Sequence, residues 1–400
     1  MNFIPFLHTA YVILFIILLL VIAAFLLGII IFFHESGHFL AAKFFKVKVE
    51  EFGFGFPPRI WGKKHGETIY SINAIPAGGF VRLLGEEGGV ADKRSFSSKG
   101  PWVQSAILVA GVVMNVLVAC VLFTAVLSFN HFKFEAPTSN PTTGESLNFS
   151  FPFGKQTKPV FIMVVDSGSP ADKAGVTPPD EVISINGASV DTISKLQDLV
   201  DKNKGKQTTL VMRNLNSNQT RTVVVVPRVN PPKDQGPLGT GLDQLYVVEY
   251  SSLAEKIFVG PLHSVNMIYE QWVLVGGLVS KSIGNRSIAP VSKEVSGPVG
   301  IVGQVGSYIG QAGVSASWTI MMLIGLISLM LGLVNVLPIP AADGGRLVFT
   351  LLEGVFRIKV SENIQRWVNT IGFFLLITLI ILITFNDISK YPSYFRSFFK

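Results

Sequence analysis

Ile31-Phe32-Phe33-His34-Glu35-Ser36-Gly37-His38 is the stretch on which the fold turns. It closes a run from Met1 to Phe33 that contains no Asp, Glu, Lys or Arg. About 20 apolar residues suffice to cross the hydrocarbon core of a bilayer. Tyr11 to Phe33 therefore reads as a membrane span, continuing as helix through His34–Phe45. His-Glu-x-x-His on a helix sets His34 and His38 on one face, one turn apart. Both imidazoles then reach a single zinc ion, with Glu35 beside them to handle protons. The bland alternative is a chance match. Ionisable groups are costly at membrane depth, so their presence there favours function. The N-terminus lacks a basic n-region and its apolar run exceeds an h-region, so it reads as a retained span rather than a cleaved signal.

The composition agrees. Of 400 residues, 49% are hydrophobic and only 15% charged, against the usual quarter. The deficit lies in long uncharged runs, which marks an integral membrane protein. The net charge of +7 is scattered along the chain and does not indicate nucleic-acid binding. A single cysteine, Cys120, excludes an internal disulfide and a Cys-based zinc site.

Outward from the motif, residues 46–100 form a polar connector with nine Lys/Arg against six Asp/Glu, which assigns it to the cytoplasmic side. Its Gly- and Pro-bounded alternation (Glu51-Phe52-Gly53-Phe54-Gly55-Phe56, then Thr68–Ile72 and Asn73…Pro76…Gly78-Gly79) predicts strands and hairpins. An ordinary surface hairpin and an edge offered to an extended peptide both fit that pattern. Residues 101–130 are a second span; in it Gly111 reads as close helix packing, and Asn115 as packing or substrate contact. Residues 131–158 read as a linker, 159–228 as a compact β-rich domain, and 229–295 as a linker with an amphipathic or interfacial helix carrying Glu270. A third span within 296–345 ends at Leu337-Pro338-Ile339-Pro340, where two prolines stop a helix. A cytoplasmic-side segment, 346–366, a fourth span, 367–386, and a tail, 387–400, follow. Four spans place both connectors near one face and the β-rich domain on the other, with the termini.

Catalytic zinc usually has three protein ligands and one open position. No other histidine matches His34 and His38 in spacing or depth. Asp343 does: it is the acid at the membrane edge of the third span, flanked by glycines. A helix N-cap is the alternative for it. Asn335, one turn before the proline pair, suits an oxyanion donor or helix packing equally.

These residues resemble the site-2 protease family of intramembrane zinc metalloproteases, and within it the bacterial regulator-of-sigma-E-protease type. The likeness covers nearly the whole chain: His34–His38, Gly53-Phe54-Gly55, Asn73…Pro76…Gly78-Gly79…Arg82, Gly111…Asn115, Ser296-Gly297-Pro298-Val299-Gly300-Ile301 and Asn335–Pro340…Asp343-Gly344-Gly345. It implies a polytopic α-helical membrane protein of about four transmembrane helices, with a membrane-associated β-hairpin element and an inserted extracytoplasmic PDZ domain. It implies Zn2+ on His34, His38 and Asp343, Glu35 as catalytic base, and Gly53, Gly55, Gly78 and Gly79 in a re-entrant β element that presents an edge to an unwound substrate. The implied substrate is a single-pass membrane protein, already trimmed by another protease, such as an anti-sigma factor or a remnant signal peptide. The implied setting is the bacterial inner membrane, in contact with lipid. Residues 159–228 resemble a PDZ domain through Asp166–Ala171, Ala174-Gly175-Val176 and Asp180…Asn186-Gly187. Pro179 stands where the family usually has Gly, Ala341-Ala342 replaces the usual residues before Asp343, and one PDZ is visible where well-known enterobacterial members carry two. A non-catalytic PDZ membrane scaffold is the alternative function. A transporter, motivated by the broken third span, is a third and lacks visible inverted repeats.

Overall fold

The computed structural model describes residues 3–86, 92–139, 146–214, 217, 219–287 and 316–390. In chain order its first elements are α1 (Phe3–Phe44), β1 (Val49–His65), β2 (Thr68–Leu83), α2 (Pro101–Phe129), β3 (Lys133–Pro137), β4 (Lys155–Thr157), β5 (Val160–Val165) and α3 (Pro170–Lys173). There follow β6 (Asp180–Ile185), β7 (Ala188–Ser189), α4 (Ile193–Lys202), β8 (Thr208–Asn214), β9 (Thr220–Val225), β10 (Thr240–Glu249), α5 (Leu253–Ile257) and α6 (Val259–Gly284). The last three are α7 (Ala316–Val336), α8 (Asp343–Phe356) and α9 (Glu362–Lys390). The chain divides into two compact units, Met1–Val126 with His263–Lys400, and Leu127–Leu262. The motif Ser296–Ile301 lies outside the described residues.

Among the described residues, four helical stretches are long and apolar enough to cross a membrane: Ala24–Phe44, Pro101–Phe129, Ser317–Val336 and Asn363–Asn386. The His-Glu-x-x-His stretch is thus inside the α1 span. Between α1 and α2, the polar connector forms two long, bent strands rather than several short ones. Phe52 pairs with both Val81 and Tyr70, and Phe54 with both Gly79 and Ile72, so β1 is flanked on both sides over this stretch. Arg59–His65 then pairs back along Thr68–Asn73. This element packs on α1 through the Phe52 ring, 5.0 Å from that of Phe32 and 4.8 Å from that of Phe39. Glycine permits the approach: a Cβ on Gly28 would lie 2.3 Å from the Pro76 carbonyl oxygen. Glu51, buried beneath, accepts hydrogen bonds from Arg59, Arg82 and Ser71. A buried carboxylate needs such partners, and here they tie the two strands together.

α6 is the helix expected within 229–295. It buries His263, Ser264 and Asn266 and exposes Trp272, Val275, Val279 and Ile283. A polar inner face and an apolar outer face suit a lipid-contacting helix.

The second unit is one antiparallel sheet of order β3-β10-β5-β6-β8-β9, with β4 on β10 and β7 on β6. Val160, Ile162, Val182, Ile185, Leu210, Met212, Val223 and Val225 bury one face against Leu196 and Val200 of α4. Those two lie one turn apart, and Thr192 starts the helix by accepting from the Lys195 N–H. Burying each such side chain contributes about 1.5–3 kcal/mol. The sheet extends beyond 159–228 in both directions, which corrects the reading of 131–158 and part of 229–295 as linker. β10 is the reason. Tyr246 and Val248 are fully buried, and the Tyr246 hydroxyl donates to the Leu147 carbonyl while accepting from the Phe149 N–H.

Candidate active site

α1 carries His34 and His38 on one face, both buried, their ring centroids 4.8 Å apart. α2 crosses directly over them, and two glycines allow it. A Cβ on Gly37 would lie 2.2 Å from the Ala110 carbonyl oxygen, and one on Gly111 would lie 2.4 Å from His38 Nε2 and 2.7 Å from His34 Cε1. His38 Nδ1 donates to the Ile107 carbonyl at 2.8 Å. His34 Nδ1 lies 3.1 Å from the side-chain nitrogen of Asn115, one turn further along α2.

Asp343 reaches the pair from a segment over 300 residues away. After α7, the Leu337–Pro340 break reverses the chain, and Ala341 takes a left-handed φ of 71°. α8 then starts with its backbone pressed against the break: Cβ atoms on Gly344 and Gly345 would lie 1.9 and 2.5 Å from the carbonyl oxygens of Leu337 and Ile339. Ala342, not Asp343, holds the N-cap position, and no side chain caps this helix. The Asp343 carboxylate turns instead to the histidines. Its Oδ2 is 2.9 Å from His34 Nε2 and 3.1 Å from His38 Nε2, and the two Nε2 atoms are 3.1 Å apart.

With its Nδ1 proton given to Ile107, a neutral His38 ring turns its Nε2 lone pair toward His34 and Asp343. Two imidazole nitrogens and a carboxylate oxygen are the donor types zinc takes. In a tetrahedral site with bonds of about 2.0–2.1 Å, donors lie about 3.3 Å apart, close to the spacing here. Among the described residues this is the one group of three His, Cys, Asp or Glu side chains able to converge on a metal ion. The donor set fits zinc.

Glu35, next to His34 and half-buried, accepts at Oε2 from the Val81 N–H of β2 at 3.0 Å. The β element and the carboxylate are therefore in direct contact. Gly79 sits against α1, where a Cβ would lie 3.3 Å from Phe32 Cα. Gly55 and Gly78 have φ of 80° and 155°. At Gly78 an added Cβ would lie 2.6 Å from the Phe56 ring, and at Gly53 one would lie 2.6 Å from the Phe80 ring. Asn335 is half-buried near the end of α7, and its side chain makes no hydrogen bond among the described residues. The sequence pointed to His34, His38, Asp343 and Glu35. It did not reveal the carbonyl of Ile107, the amide of Val81, or the part taken by Gly111. The i,i+4 spacing of Gly111 and Asn115 was the available signal for one shared helix face.

Helices of membrane-spanning length with this buried His-His-Asp cluster define the class of a metalloprotease. Residues 22–379 match the model of Peptidase family M50, and the chain belongs to that family. It is 32% identical over 365 residues to a protein of Clostridium acetobutylicum named "Putative zinc metalloprotease", covering 91% of this chain and 95% of that one. Proteins of the same printed description from Fusobacterium nucleatum (31%, covering 91% and 97%) and Clostridium perfringens (29%, covering 90% and 95%) are also similar.

Proposed function

We propose that this protein is a zinc-dependent intramembrane endopeptidase that cleaves transmembrane segments of single-pass membrane proteins. The observation that carries the reading is the convergence of His34 Nε2, His38 Nε2 and Asp343 Oδ2 within 2.9–3.1 Å, from helices far apart in sequence. These three atoms would hold the zinc, which would supply Lewis-acid polarisation of the scissile carbonyl and a water acidified to a pKa near 7. Glu35 takes the proton of the attacking water on its carboxylate and passes it to the leaving amide nitrogen. The Val81 N–H holds one carboxylate oxygen in place while it does so. Asn335, whose side chain has no hydrogen-bond partner among the described residues, donates to the developing oxyanion.

A transmembrane helix must unwind before its peptide bonds can be reached. β1 with Gly53 and Gly55, and β2 with Gly78 and Gly79, offer the extended chain an edge beside Glu35. Within Leu127–Leu262, residues 159–228 form the PDZ module, on the extracytoplasmic side of a bacterial inner membrane, where it docks or gates the substrate. Anti-sigma factors and remnant signal peptides, trimmed beforehand by another protease, are the substrate classes.

The test is cleavage of a model single-pass substrate by the purified protein in detergent. Glu35→Gln should keep its zinc and lose about 10²–10⁴ in rate, the usual share of a general base. Undiminished cleavage by that variant would sink the mechanism, and a zinc-free protein that only binds peptides would favour the scaffold.

A further inference from the structure

We infer that Asn115 is a positioning residue: its side-chain oxygen holds His34 in the tautomer that binds metal. The inference rests on the zinc reading above. A neutral imidazole carries one proton. For His34 Nε2 to offer a lone pair, that proton must sit on Nδ1, where it needs an acceptor. The group 3.1 Å from Nδ1 is the Asn115 amide. In the structure its nitrogen faces the ring, and its oxygen is buried without a hydrogen-bond partner among the described residues.

Asn115 is 0% exposed, so solvent does not compensate the oxygen. A buried carbonyl left without a donor is unfavourable. A half-turn of the amide exchanges its two ends. It brings the oxygen against Nδ1–H, so the ring proton has an acceptor and Nε2 is left free for the metal. His38 shows the same arrangement already made, with Nδ1 donating to Ile107. One face of α2 thus orients both rings: the Ile107 carbonyl, the bare backbone of Gly111, and the Asn115 amide. α7 braces that face, since Ser328 Oγ donates to the Asn115 backbone carbonyl at 3.0 Å and a Cβ on Gly332 would lie 3.2 Å from Asn115 Cβ.

The experiment is zinc affinity by chelator competition on the full chain in detergent, for wild type, Asn115→Leu and Asn115→Asp. Leu offers no acceptor and should weaken zinc binding about 10–100-fold, as loss of an outer hydrogen-bond partner does. Asp can only accept, so it should bind within about threefold of wild type or more tightly. Unchanged affinity in Asn115→Leu, or a tenfold loss in Asn115→Asp, would overturn the inference; the second result would mean that the amide nitrogen is what His34 needs. Should Asn115→Leu fail to fold, the Asp variant decides alone. A wild-type protein that binds no zinc would remove the metal reading itself, and the inference with it.

Discussion

Gly111 forms the floor of the site, and two opposed effects meet there. Replacing a helical glycine by alanine gains about 1 kcal/mol in helix propensity. A Cβ at Gly111, however, would lie 2.4 Å from His38 Nε2, against a backbone carbonyl-anchored ring that cannot move aside. Overpacking of that kind costs about 1–3 kcal/mol, so the clash wins. Gly111→Ala is expected to lower zinc occupancy and the melting temperature together, read by metal analysis and thermal unfolding in detergent; a more stable, zinc-replete variant would contradict the packing described. Sequence reading works well at this scale for groups that carry their chemistry in the side chain. His34, Glu35, His38 and Asp343 were legible by type and spacing. The Ile107 carbonyl and the Val81 amide were not, because every residue has a backbone and nothing in its name says where that backbone points. Asn115 fell between, a polar residue on a membrane helix with two ordinary explanations.

The turn between α7 and α8 does the longest-range work of any element, since it carries Asp343 to the histidines. Its geometry depends on Gly344, whose added Cβ would lie 1.9 Å from the Leu337 carbonyl oxygen. Gly344→Ala should therefore displace Asp343 and lower zinc affinity while the four spans stay helical, measurable by chelator competition alongside circular dichroism. In the other unit, β3 and β10 were read as linker because their partners lie more than 100 residues apart, as in Val247 opposite Glu135. Local pattern cannot announce such a pairing. The pairing has a titration consequence. Burial raises the Glu135 pKa, with Lys133 opposing in part. A carboxyl raised on folding favours the fold fully below its unfolded pKa, and that contribution is lost as pH rises through the folded value. At neutral pH the charge is thus a burden. Glu135→Gln should slow hydrogen exchange in β3 and β10 at pH 7 and lose that advantage toward pH 4. Faster exchange at pH 7 would show that the charge is stabilising.

For the molecule as a whole, the four apolar helices and the charge balance of 46–100 were plain in the sequence, because membrane insertion reads composition over long windows. The proposed topology puts Lys64 in the cytoplasm and Ser217 outside. With Cys120 replaced by Ser, a cysteine at 217 should react with a membrane-impermeant maleimide in intact spheroplasts, and one at 64 only after lysis; the reverse pattern would invert the protein. The central claim is that three residues from α1 and α8 share one zinc ion. Metal analysis of the purified chain, after dialysis against a mild chelator, tests it most directly. About one zinc per chain is expected in the wild type, and none in His38→Ala or Asp343→Ala, since a site with three protein ligands that loses one cannot hold the ion against a chelator. Zinc retained at the wild-type level when Asp343 is replaced would contradict the account.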